Sequence, residues 1–347
     1  MSLFCHPSYD AHEGVHLFQD TVSGLRSIIA IHSTRLGPAA GGCRVWHYET
    51  EDQALCDVLR LSRGMTYKNA LAGLSAGGGK AVIMAPPGPF DRRRLFEAFG
   101  RIVDSLGGQY ITAEDVGSTI QDMEAVASQT SYVAGLPPDG PSSAGGDPSP
   151  WTARGVFLAI ETAVRYRLDR PLDGVCVAVQ GLGNVGFHLC RLLHEAGARL
   201  IVSDLSEQRQ AAAREAFGAR VEHPGGILMA DADVLAPCAM GGVINARTIP
   251  EMWVKVICGA ANNQLAESSD GSRLRDRGIL YCPDYVVNSG GIINVMAEHD
   301  GQDVAMVQRQ VENIPYRLVD ILRRADHQNA PTNQVADAMA MEMTGRS

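Results

Sequence analysis

The sequence predicts an α/β protein of two domains with a cleft between them. Three observations carry this. A chain of 347 residues is too long for one compact core. From residue 175 onward, short apolar runs alternate with helical patterns, which means a parallel sheet with right-handed crossovers. Between two periodic regions lies "GLPPDGPSSAGGDPSP" (135–150), nearly all Gly, Pro, Ser, Asp and Ala, which reads as a connection between domains. The expected division is a first domain over 1–137, a connector and hinge over 138–150, and a second domain over 151–332. A terminal helix at about 333–347 is expected to pack back on the first domain.

The elements follow in order. "LRSIIAIHS" (25–33) is a short apolar run rich in isoleucine, a strand. "TEDQALCDVLRLSRGM" (50–65) opens with Thr50 and Gln53 in capping-box spacing and continues as a helix, which places Lys68 just past its end. The glycine run Gly77, Gly78, Gly79 reads as a loop, and "KAVIMA" (80–85) as a strand beginning at Lys80. "DRRRLFEAFGRIVDSLGG" (91–108) repeats apolar residues at helical spacing and stops at a glycine pair. "QYITAEDV" (109–116) reads as a strand ending in acids, followed by a helix capped by Ser118 with Gln121. Ser149 and Pro150 look like an N-cap and a first-turn proline. Beyond lie the strands "VCVAVQ", "RLIVSD", "DVLAPC", "VKVICGA" and "GILYCPDYVVN", and a helix carrying Val304, Val307, Val311, Ile314, Leu318, Ile321 and Leu322.

Composition narrows the function. A formal net charge of −9 argues against a nucleic-acid footprint. No apolar run approaches a membrane span, and the N-terminus lacks a basic region followed by an apolar core. A cytoplasmic protein with reduced, mostly buried thiols is expected, because the eight cysteines form no C-x-x-C. No H-E-x-x-H or similar ligand spacing points to a metal.

"VCVAVQGLGNVGFHLCRLL" contains G-x-G-x-x-G, after a predicted strand and opening a predicted helix. Gly181 permits the tight turn, Gly183 lets the backbone approach a pyrophosphate, and Gly186 allows close helix–strand packing. The loop Gly181, Leu182, Gly183, Asn184, Val185 and Gly186 then leads the phosphates to a helix N-terminus with free N–H groups. Asp204 ends the next strand, about 20 residues on, where a carboxylate accepts from a ribose 2′-OH and repels a 2′-phosphate. The second domain is therefore expected to be a Rossmann-type domain that binds NAD. The acid alone also suits a helix N-cap.

The substrate side belongs to the first half, where Lys68, Lys80 and Asp115 sit at the ends of predicted elements. Glycines remove bulk around Lys80, and "AVIM" after it suggests a buried strand. A lysine stripped of water is pushed toward its neutral amine, a second ammonium pushes the same way, and a carboxylate pushes back and can exchange protons.

The stretches "LGPAAGGCR" (36–44), "RGMTYKNALAGLSAGGGKAVI" (63–83), "YITAEDVG" (110–117), "QGLGNVG" (180–186), "APCAMGG" (236–242), "GAANNQL" (259–265) and "GILYCPDYVVNSGGIIN" (278–294) together resemble the glutamate/leucine/phenylalanine/valine dehydrogenases, and most of all the leucine branch. The resemblance covers nearly the whole chain. It implies a first domain for substrate binding and homo-oligomerisation, and reversible oxidative deamination: an L-amino acid, NAD+ and water give a 2-oxo acid, ammonium and NADH. It implies that Lys68 holds the α-carboxylate, that Lys80 activates water and stabilises the carbinolamine, and that Asp115 relays protons of the amino group. Gly42 would line the polar end of the substrate, and Asn262 would stand beside the nicotinamide ribose.

By the same resemblance the side-chain pocket maps to Ala40, Ala113, Ile292 and Val295, none of them charged, which disfavours glutamate. Ala40 stands where leucine dehydrogenases usually carry leucine, so a larger side chain could enter. Asn294 is more like the leucine and valine branches. Branched-chain substrates are expected, with phenylalanine or tryptophan as the alternative. Two other classes remain open: a catalytically silent dinucleotide-binding sensor, and a hydroxy-acid dehydrogenase, which would want a His–carboxylate pair.

Overall fold

The computed structural model describes residues 3–138, 140 and 142–346. Two positions of the expected connector, Asp139 and Pro141, lie outside the described residues. The chain forms two compact units. One comprises Met1–Asp147, Ile292–Met306 and Ala340–Ser347; the other comprises Pro148–Gly291 and Val307–Met339.

The first unit is built on a mixed sheet. Its strands are β1 (Gly14–Asp20), β2 (Leu25–Ser33), β3 (Ala39–Ala40), β4 (Cys43–Trp46), β5 (Gly77–Met84) and β6 (Tyr110–Ile111). The order is β1-β2-β5-β3-β6, and β4 also pairs with β5. β1, β2 and β5 run antiparallel in succession, while β3 and β4 pair parallel to β5. β3 and β4 thus act as one strand interrupted at Gly41 and Gly42. β2 is apolar on both of its faces because both are covered. Leu25, Ile29 and Ile31 pack with Leu95, Phe96, Phe99 and Val103 of α2 (Arg92–Ser105), after α1 (Glu51–Ala72), and with Met123 and Val126 of α3 (Ile120–Ala127). Ile28 and Ala30 pack with Val58 and Leu59 of α1.

Several expectations need correction here. The glycine run is not a loop: Gly77, Gly78 and Gly79 are buried residues of β5, which starts three residues earlier than Lys80. Each gives room to a neighbour. A Cβ at Gly77 would lie 1.9 Å from the Ser33 carbonyl oxygen, one at Gly78 would lie 2.1 Å from the Thr66 nitrogen, and one at Gly79 would lie 2.8 Å from the Tyr110 ring. The α1 helix runs on to Ala72 and ends at Gly73 with φ of 74°, so Lys68 lies within it. Its cap is only half a capping box. Thr50 accepts from the Gln53 nitrogen, but Gln53 accepts from Glu49. The second box is shifted by one residue: Thr119 and Asp122 form it reciprocally, which frees Ser118 for another task. The 109–116 strand is limited to Tyr110 and Ile111, followed by isolated bridges at Thr112 and Glu114. β1, whose side chains stay half-exposed on an edge strand, carried too weak an apolar pattern to be expected.

The second unit holds α4 (Ser149–Leu168), β7 (Cys176–Gln180), α5 (Asn184–Glu195), β8 (Arg199–Ser203), α6 (Glu207–Phe217), β9 (Arg220–Val221), β10 (Val234–Pro237), β11 (Val256–Ile257), α7 (Asp270–Asp276), β12 (Leu280–Tyr281) and α8 (Asp284–Val287). All six strands are parallel, in the order β12-β11-β10-β7-β8-β9. The order reverses at β7, the doubly wound arrangement with its switch point where the glycine loop leaves the sheet. α4 starts one residue earlier than expected, with Pro148 as N-cap and no side-chain cap bond. "GILYCPDYVVN" divides into a two-residue strand and the short α8.

The remaining helices are α9 (Gly290–His299), α10 (Val304–Val311), α11 (Ile314–Gln328) and α12 (Thr332–Thr344). The Val304–Leu322 pattern is therefore two helices, divided before Ile314 with Pro315 in the first turn of the second. Just past α12, Arg346 reaches the His32 ring, and Arg35 donates to the Thr344 carbonyl. Among the described residues no helix is long and apolar enough to cross a membrane. All eight cysteines are free thiols, but only Cys43, Cys190, Cys258 and Cys282 are buried.

Candidate active site

In the first unit, β5 carries Lys80 in its middle rather than at its end, and the side chain is only 6% exposed. Its Nζ lies 3.0 Å from Oδ2 of Asp115. Asp115 sits on the turn after β6, and that turn is laced to β4. Cys43 N donates to the Ala113 carbonyl at 2.8 Å and Val45 N to the Val116 carbonyl at 2.9 Å. Ser118 accepts from the Asp115 nitrogen at 2.9 Å and donates to the Cys43 carbonyl at 2.9 Å. Burial pushes the Asp115 carboxyl up, but Lys80 and then Arg44 outweigh it and hold the group below its ordinary value. Gly42 is needed beside it, since a Cβ there would lie 2.8 Å from the Asp115 Cβ.

Arg44, Asp57 and Tyr48 were missed by sequence reasoning. Arg44 Nε donates to Asp115 Oδ2 at 3.1 Å. Its Nη1 donates to both oxygens of Asp57, at 3.3 and 3.0 Å, and Tyr48 donates to Asp57 Oδ2 at 2.7 Å. The available signal was a charge that follows the glycine pair and Cys43 in "GGCR", in an otherwise apolar stretch.

Lys68 is half-buried in α1. The next residue joins that helix to the strands: Asn69 Nδ2 donates to the Gly77 carbonyl at 2.6 Å and to the Ala40 carbonyl at 3.3 Å. Ala40 and Ala113 are buried, Ala40 in β3 opposite Gly78 and Ile111. Ile292 and Val295 lie on α9 and belong to the same compact unit. That helix is tied down by Asn294, which exchanges two hydrogen bonds of 3.2 Å with the backbone of Gly145. Glu298 also accepts from the nitrogens of Gly135 and Leu136.

In the second unit, Gly181 has φ of 94°, a conformation that favours glycine, and its nitrogen donates to the Ser203 carbonyl at 2.7 Å. A Cβ at Gly186 would lie 2.0 Å from the Gly181 carbonyl oxygen, whereas one at Gly183 would meet open space. α5 begins at Asn184 with Gly183 as N-cap and no side-chain cap bond. Its first N–H groups and dipole end are thus left to an anionic ligand, which fits a dinucleotide pyrophosphate. Asp204 is not the cap of α6, a role taken by Ser206. Its Oδ2 accepts from Leu182 N at 2.7 Å and its Oδ1 from Ser206 N at 2.8 Å, so the carboxylate is fixed beside the loop with lone pairs to spare. Asn262 lies exposed beyond β11, and its Oδ1 accepts from Asn288 Nδ2 at 2.8 Å.

Residues 10–132 match the model of the Glu/Leu/Phe/Val dehydrogenase dimerisation domain, and residues 147–207 and 202–343 match that of the glutamate/leucine/phenylalanine/valine dehydrogenases. This chain belongs to that family. Among its members, leucine dehydrogenase of Geobacillus stearothermophilus is 48% identical over 99% of this chain and 93% of its own. L-tryptophan dehydrogenase of Nostoc punctiforme is 46% identical over 97% of this chain and 94% of its own. The crystal structure of the L-tryptophan dehydrogenase from Nostoc punctiforme superimposes with a TM-score of 0.84, covering 96% of each chain. The two-domain architecture of the family and its class of chemistry, amino-acid dehydrogenation with a dinucleotide, are those of this protein.

Proposed function

We propose that this enzyme carries out the NAD-dependent, reversible oxidative deamination of an apolar L-amino acid, with leucine or valine preferred. The products are the 2-oxo acid, ammonium, NADH and a proton. The observation that carries the reading is the buried Lys80–Asp115 pair at 3.0 Å.

When bound, the dinucleotide supplies the acceptor for the hydride that leaves Cα. The protein's own residues do the rest. Lys68 holds the α-carboxylate and so fixes the direction in which Cα faces. Lys80 takes a proton from the water that adds to the iminium carbon, and stabilises the carbinolamine. Asp115 takes and returns protons of the substrate nitrogen. Gly42 leaves room at the polar end of the substrate. In the second unit, Gly181, Leu182, Gly183, Asn184, Val185 and Gly186 hold the pyrophosphate. Asp204 accepts from the ribose 2′-OH, and Asn262, steadied by Asn288, stands at the nicotinamide ribose.

Ala40, Ala113, Ile292 and Val295 form the side-chain pocket, and their lack of charge disfavours an acidic substrate. The small Ala40 and the 46% identity to a tryptophan dehydrogenase support a second reading, an aromatic L-amino acid. A homo-oligomeric, cytoplasmic enzyme is part of the proposal, with residues 138–150 as the connector between domains.

The test is NADH absorbance over a panel of L-amino acids. Turnover led by leucine and valine is expected, while a lead by phenylalanine or tryptophan selects the second reading. NAD binding without turnover of any member points to a sensor. Reverse reaction without any need for ammonium points to a hydroxy-acid enzyme. NADP used as well as NAD would overturn the role given to Asp204.

A further inference from the structure

Asp115 is held by two cations, and only one of them has a task in the deamination. We propose that Arg44 is a positioning residue that aims Asp115 and favours its return to the ionised form after each proton transfer, while Lys80 changes its protonation. This rests on the reaction proposed above.

The geometry carries it. Lys80 Nζ and Arg44 Nε both close on the same oxygen, Oδ2, at 3.0 and 3.1 Å. That leaves Oδ1 as the oxygen to meet a substrate nitrogen. Arg44 cannot swing away, because Asp57 of α1 takes its far end with both oxygens and Tyr48 holds Asp57 in turn. The backbone fixes the pair as well: Arg44 stands opposite Val82 of β5, and the nitrogens on either side of it in β4 bond the carbonyls of residues 113 and 116 around Asp115.

The chemistry needs such a group. A lysine that gives and takes protons is at times a neutral amine, and a buried carboxylate beside it would then lose its counter-charge. An arginine stays charged throughout. The other groups around Asp115 cannot serve. Glu114 repels it, and the Cys43 thiol and the Tyr110 and Tyr48 phenols, each pushed up chiefly by burial, stay neutral.

The experiment is a kcat/KM pH profile of wild type and three variants with the best substrate of the panel. Removing a fixed cation favours the protonated form of every neighbouring group. Arg44→Gln is therefore expected to move the acid limb up by about one pH unit. It should lower kcat more than it raises the amino-acid KM, with a loss of about tenfold or more at neutral pH. Arg44→Lys keeps the charge and is expected to hold the limb in place while recovering part of kcat. Asp57→Asn leaves the guanidinium charged but loose, and should lower kcat without the upward shift of the limb.

An Arg44→Gln enzyme whose limb coincides with that of wild type overturns the proposal. So does a loss in Arg44→Gln that Arg44→Lys does not rescue at all. Should Arg44→Gln fail to fold, the other two decide: a change in KM alone in both overturns it. A wild-type enzyme that turns over no amino acid would instead remove the proposed reaction, and is told apart by that control.

Discussion

Two glycine-rich stretches do opposite things. In β5, glycines 77–79 bring protein to protein, since a Cβ at any of them would collide with the Ser33 carbonyl, Thr66 or the Tyr110 ring. After β7, Gly183 borders open space and leaves room for a ligand, while Gly186 packs on Gly181. The same residue type therefore marks a closed seam leading into Lys80 in one place and an accessible loop in the other. Loss of a glycine in the seam should be felt as instability. Loss of Gly183 should be felt as weaker cofactor binding.

The largest expected effect is on the residue that the seam carries. Lys80→Ala should lower turnover roughly 10³-fold, with NAD binding retained in a fluorescence titration. Normal turnover would remove the role given to it. Next comes Gly78→Ala. Its methyl would lie 2.1 Å from the Thr66 nitrogen, which is backbone and cannot yield cheaply. A loss of about 3 kcal/mol is expected in denaturant unfolding. Gly183→Ala is the counterpart: stability within about 0.5 kcal/mol of wild type, with a clear loss of NAD affinity. Equal stability losses at Gly78 and Gly183 would erase the contrast.

Smallest at neutral pH, and growing only in acid, is a titration beside the seam. His32 of β2 is buried, and burial, then Arg346 and His12, lower its pKa to about 3 from 6.5. The unfolded ring takes a proton near pH 6.5 and the folded ring does not until about pH 3. Stability should therefore be full above pH 6.5 and fall as pH drops toward 3. His32→Gln should flatten the Tm profile over that range, and an unchanged slope would sink this assignment.

The dinucleotide unit was largely legible in the sequence, because a parallel sheet repeats its pattern and the glycine loop has a fixed spacing. β2 was read to the residue, since its apolar run coincides with its ends. In the first unit the sequence singled out Lys80 and Asp115, which the structure brings to 3.0 Å of one another, but not the frame that holds them. Glycines are poor strand formers in isolation, so Gly77–Gly79 looked like a loop until Ser33, Thr66 and Tyr110 were seen to require them. Ser118 resembles a helix cap locally, yet its hydroxyl is committed to Cys43 and Asp115 across the sheet. Arg44 and Asp57 are distant from Asp115 in sequence, and no local pattern announces a network closed by tertiary pairing.

The join between α1 and β5 has one more consequence. Lys68 rides on the helix and Lys80 on the strand, and Asn69 rivets the two through the Gly77 and Ala40 carbonyls. With the roles proposed for them, that join sets the spacing between the amine that grips a carboxylate and the amine that serves the carbon beside it. A β-amino acid, whose nitrogen stands one carbon farther out, would miss that spacing, however well its side chain filled the pocket.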